Sequence, residues 1–99
     1  MAAGILHDGS ATVSSAGTPV PLSTTSVKCN WISIQPLAAN TGAVYLGAST
    51  VTSTRGISLL VGDFGIAYPM LAFAGYDLST IYIDGATNGN GVQFIYTVI

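Results

Sequence analysis

The sequence predicts an all-β fold: a compact antiparallel β-sandwich or jelly-roll-like body of about 7–8 short strands, with an extended N-terminal arm. Three observations predict it. β-Branched and aromatic residues dominate, and these types suit a pleated, half-buried surface. Gly, Asn, Pro and Asp interrupt the chain at short intervals, the rhythm of turns in a sandwich or barrel. No stretch repeats apolar residues at i, i+3, i+4 and i+7 over three turns with caps, and glutamate is absent altogether.

Taken in order, residues 1–26, "MAAGILHDGSATVSSAGTPVPLSTTS", are small and polar, with Gly17, Pro19 and Pro21 breaking any long element. They read as an arm with one or two short edge strands, removable without unfolding the rest, ahead of a body at 27–99; the whole is a single domain. The body opens with "VKCNWISIQPL", where Val27, Cys29 and Trp31 alternate with Lys28, Asn30 and Ile32 and are expected to face the core, until Pro36 ends the ladder. "AVYLGAS" places Val44 and Leu46 on one face and Tyr45 on the other, and "GISLLVG" is a short strand closed by a Gly62–Asp63 turn. "YPMLAFAG" alternates Met70, Ala72 and Ala74 against Leu71 and Phe73. Finally "LSTIYIDG" and "GVQFIYTVI" are two strands joined by "ATNGNG", whose Asn-Gly pairs favour the positive φ of a hairpin. Both faces of these last strands are partly apolar, which predicts an outer face covered by a neighbouring subunit.

Composition narrows the function classes. Charged residues are 6% of the 99, against 49% hydrophobic, where an ordinary domain carries about 25% charged residues. A body of this size cannot hide so much apolar surface internally, so an oligomer or assembly component is expected. Two cations and a formal charge of −2 disfavour nucleic acid and anionic membranes as partners. The most membrane-like window, Ile57 to Tyr76, contains Asp63, three glycines and Pro69, and reads better as two buried strands around a turn. The amino terminus lacks a basic region followed by a long apolar run, so synthesis in the cytoplasm is the expectation.

Chemistry-bearing residues are few. Cys29, the single cysteine, reads as a small buried hydrophobe, and no Cys or His cluster has zinc spacing. His7 and Asp8 are adjacent, which is not a catalytic constellation. "GASTVTSTRG" is rich in Gly and hydroxyls but lacks the lysine and the helix of a phosphate loop. "DGATNGNG" offers oxygens from Asp84, Thr87, Asn88 and Asn90, yet its single carboxylate and spacing fit a turn rather than a calcium loop. Tyr45, Tyr68 and Tyr76, if coplanar and exposed, would make a sugar-stacking platform. Arg55 and Lys28 are the only fixed cations. Arg55 is expected to pair with Asp63 or Asp77, or to contact a carboxylate on a neighbouring chain. No enzyme activity, metal or cofactor is expected.

The run "TSVKCNWISIQPLAANTGAVYLGASTVTSTRGISLLVGD" followed by "YDLSTIYIDGATNGNGVQFIYTV" resembles small structural proteins of tailed bacteriophages. The elements that carry the resemblance are the I-x-I-Q strand ending, the N-T-G-x-V-Y-x-G hairpin, the G-x-x-L strand and the L-S-x-I-Y-I strand, in that order across roughly residues 25 to 98. The sequence departs from the resemblance at Leu60 to Asp63, where a Pro-Gly turn would be commoner. The resemblance implies a virion protein, a capsid decoration (cement) protein. It would sit on the capsid surface, bind the major capsid protein and copies of itself as a homo-oligomer such as a trimer, and carry no catalytic residues. The alternative is a receptor- or glycan-binding domain of a phage tail or head fibre.

Overall fold

A computed structural model describes residues 5–59 and 76–98. Its strands are β1 (Leu6–Thr12), β2 (Val20–Pro21), β3 (Lys28–Pro36), β4 (Val44–Gly47), β5 (Ile57–Leu59), β6 (Tyr76–Asp77), β7 (Tyr82–Gly85) and β8 (Gly91–Val98), with one 3-10 turn at Leu78–Thr80. They form two four-stranded sheets, ordered β1-β8-β3-β6 and β2-β7-β4-β5, in which every pairing is antiparallel. The all-β class is therefore as the composition dictates, and no α-helix occurs among the described residues. The "YPMLAFAG" strand and the Gly62–Asp63 turn lie outside the described residues.

One apolar core joins the sheets. Cys29, Ile32, Ile34, Val92 and Phe94 come from the first sheet, and Val44, Leu46, Leu59 and Ile83 from the second. Val13, Leu22 and Leu78, between strands, complete it. Fully burying a side chain such as Ile34 or Leu59 contributes about 1.5–3 kcal/mol, so this cluster is the main cohesive element. Tyr45, opposite in phase to Val44 and Leu46, is half-buried, as the alternation in "AVYLGAS" predicts.

Four expectations are corrected. The first concerns β3: Cys29 is buried, but Trp31 is not a core residue. A β-bulge shifts the register between Cys29, which pairs with Val98, and Trp31, which pairs with Thr97. Asn30 is thus an extra residue, and the inward phase passes to Ile32 and Ile34 while Trp31, Ser33 and Gln35 turn outward. The second concerns "LSTIYIDG", which is not one strand. Asp77 ends β6 and caps the 3-10 turn, its carboxylate accepting from the Ser79 N–H at 2.9 Å, a local bond that outcompetes extended pairing.

The third correction is topological. β7 and β8 do not pair as a hairpin: β7 lies in the second sheet between β2 and β4, and β8 in the first between β1 and β3. "ATNGNG" crosses between sheets because its polar groups have better partners than each other. The Asn90 carbonyl accepts from Val13 N–H at 2.7 Å, the Gly89 N–H donates to Val13 O at 2.7 Å, and Asn88 Oδ1 accepts from Ala16 N–H at 2.7 Å. Gly89 does take the positive φ its Asn-Gly pair foretold, 88°.

The fourth concerns residues 1–26. From residue 5 onward this segment is laid into the body rather than standing off from it. β1 pairs with β8 at every position from Leu6 to Thr12, β2 pairs with β7, and Val13 and Leu22 are core residues. The predicted edge strands exist, with β1 and β2 each at the edge of its sheet.

Candidate functional site

The pairing registers place the first sheet's residues in rows across β1, β8 and β3. Gly9, Phe94 and Ile34 form an inward row, as do His7, Tyr96 and Ile32. Between them lie the outward rows: Leu6, Thr97 and Trp31; then Asp8, Ile95 and Ser33; then Ser10, Gln93 and Gln35. The last two rows line an open concavity of about 650 Å³. It is a sheet-face trough of mostly short or uncharged side chains, because the alternation that buries Phe94 and Ile34 must send Gln93, Ile95, Ser33 and Gln35 outward.

A second feature is the apolar end of the same sheet. Tyr76, Cys29 and Val98 share a row, and Leu6 lies on the next one. Cys29 is buried, whereas Ile5 is 71% exposed, Leu6 60%, Val98 41% and Tyr76 43%. Among the described residues β1 is an edge strand, and its seven residues contain no Lys, Pro or bulge, the usual devices that discourage strand pairing.

The candidate chemistry residues are dispersed. His7 points inward and stacks on Tyr96 with ring centroids 5.3 Å apart, while its neighbour Asp8 lines the outward trough, so strand alternation separates the pair. Burial pushes the Cys29 thiol above its ordinary pKa, which keeps it protonated and a poor nucleophile. Of the residues weighed as calcium ligands, Asp84, Asn88 and Asn90 have side-chain oxygens that accept from backbone N–H groups instead. Asp84 Oδ1 accepts from Gly17 N–H at 2.9 Å and Gly85 N–H at 2.8 Å, and Asn90 Oδ1 accepts from Thr41 N–H at 3.1 Å. No cluster of three or more His, Cys, Asp or Glu occurs among the described residues.

Asp77 is the most heavily engaged carboxylate among the described residues. It accepts from the Ser26 hydroxyl, from Val27 N–H at 3.0 Å, and from the Ser79 N–H and hydroxyl at 2.9 and 2.8 Å. The Ser26 bond, followed by those from Ser79, holds its pKa well below the usual carboxylate range. Lys28 is opposite Asp77 in the ladder.

Arg55 is exposed. Its backbone closes a tight turn with Thr52, through N–H to carbonyl bonds of 3.1 and 3.2 Å in both directions. Gly56 follows with φ 114° and sits against the Leu46 carbonyl, where a side chain would collide. Of the carboxylates expected for Arg55, that of Asp77 is held by Ser26, Val27 and Ser79, and Asp63 lies outside the described residues.

Tyr45 and Tyr76 do not share a sheet face. Tyr45 is half-buried in β4 of the second sheet, Tyr76 belongs to β6 of the first, and Tyr68 lies outside the described residues. Sequence reasoning missed the trough because it exists only once β1, β8 and β3 are side by side. Ser33 and Gln35 also sit beyond the bulge that inverts the phase of their strand.

Comparison with family models, with characterised proteins and with solved structures finds no match for this chain.

Proposed function

We propose that this chain is a structural virion protein: a capsid decoration protein with a β-sandwich or jelly-roll body, which binds the outer shell and copies of itself through surface burial. The observation that carries the reading is the set of exposed apolar side chains at one end of the first sheet: Ile5 and Leu6 at the start of edge strand β1, Val98 on β8 beside it, and Tyr76 on β6 at the opposite edge. Each Å² of apolar surface covered there by a neighbour contributes about 25 cal/mol before the costs of association. A surface with so few charges opposes such covering weakly. An open strand edge in turn accepts a partner's backbone directly.

In this reading the major capsid protein and further copies of the chain are the partners, and exposed Arg55 is the cation available to a carboxylate across the contact. The test is immunodetection in purified particles together with light scattering of the isolated protein. Co-purification with particles and a symmetric oligomer are expected, and Leu6→Asp should weaken both. A stable monomer absent from particles overturns the proposal.

A further inference from the structure

We infer that the outward trough of the first sheet is a binding site for a neutral oligosaccharide. Its volume, about 650 Å³, lies within the range of small-ligand sites and has room for roughly two or three sugar rings. The argument rests on what lines it. Asp8 and Ser10 of β1, Gln93 and Ile95 of β8, and Ser33 and Gln35 of β3 converge from three adjacent strands. Among the described residues no hydrogen bond engages the side chains of these residues, so their donors and acceptors face the trough and solvent.

The chemistry selects the ligand class. Each Gln amide presents an acceptor oxygen beside two donor hydrogens, and each Ser hydroxyl does both. That mixture complements vicinal sugar hydroxyls, which also donate and accept. The one formal charge is the Asp8 carboxylate, while the chain's two cations lie elsewhere: Lys28 begins β3 beyond the bulge, and Arg55 is in the Thr52–Arg55 turn. Sulfated, phosphorylated or acidic sugars are therefore repelled rather than held. Ile95, 39% exposed, gives the centre of the trough an apolar floor for the C–H face of a pyranose. An extended peptide is a poorer fit, since its backbone seeks a sheet edge and not a sheet face.

The site is separate from the apolar end proposed for shell contact, so either assignment can fail without the other. The test is a ¹⁵N-correlation NMR titration of the full chain with cellohexaose, maltohexaose, chitohexaose and mannohexaose at millimolar concentration, with a sulfated heparin hexasaccharide alongside. Saturable shifts at the amides of Asp8, Gln35, Gln93 and Ile95 are expected with at least one neutral sugar. Gln35→Ala and Gln93→Ala, both at solvent-facing positions, should each weaken that binding by about tenfold with thermal unfolding unchanged. Absence of shifts with all four neutral sugars, shifts with the sulfated sugar alone, or undiminished affinity in both variants overturns the inference.

Discussion

At the scale of single residues, Gly91 shows how closely the backbones approach. A Cβ there would run into the Ala11 carbonyl and come within 2.8 Å of the Thr12 Cα, and neither can move without parting β1 from β8. The same residue is gripped from the other side by Asn40, whose side chain donates to the Gly91 carbonyl and accepts from its N–H, both at 2.8 Å. Gly91→Ala should therefore cost about 1–3 kcal/mol, read as a lower midpoint in urea unfolding. Asp77 makes a prediction about pH. Its folded-state pKa is lowered, so the stability it contributes is present above the ordinary carboxylate range and is lost as pH falls below about 4. Asp77→Asn should be less stable at neutral pH and should lose less on acidification than the parent chain, measured by denaturant unfolding at about pH 7 and about pH 3. Equal slopes would mean that the carboxylate charge is immaterial.

At the scale of elements, β3 carries the lesson about legibility. Its existence, its end at Pro36 and the burial of Cys29 are all readable from "VKCNWISIQPL", because alternation and proline act locally. The bulge at Asn30 is not readable. It is set by how β3 meets β8, where Cys29 must stay inward opposite Val98 while Ile34 must stay inward opposite Phe94. Deleting Asn30 removes the extra residue and forces a choice between those two inward sets, so a cooperative loss of stability is expected in thermal unfolding; an unchanged melting temperature would show that the bulge is dispensable. The same reasoning explains the 3-10 turn. Period-two counting assigns Thr80, Tyr82 and Asp84 to one strand face, whereas the Asp77 cap makes its own local structure from Leu78 to Thr80.

At the scale of the whole molecule, the N-terminal segment belongs to the body. Removing residues 2–24 would take away β1, β2 and the core side chains Val13 and Leu22. It would also expose the edge of β8 and leave Asn88 and Asp84 without the Ala16 and Gly17 amides they bind. Such a truncation should fail to fold, observed as loss of amide dispersion in NMR, and a folded product would show that β3 to β8 suffice. The rows that create the oligosaccharide trough depend on the same assembly, since β1 supplies Asp8 and Ser10.

The sequence by itself determined the all-β class, the absence of helical signal, most strand positions and the small share of charge. Each follows from local propensity, period-two patterning or composition, which need no knowledge of neighbours. Only the tertiary structure decided which strands lie side by side. "ATNGNG" has the turn chemistry of a hairpin, yet it leads from one sheet to the other because Val13, Ala16, Gly17 and Thr41 bring backbone groups to Asp84, Asn88 and Asn90. Those partners are 49 to 77 residues away in the chain. The physical reason is that polar groups at a turn satisfy themselves with whatever the folded chain brings within reach, and sequence order does not encode that distance.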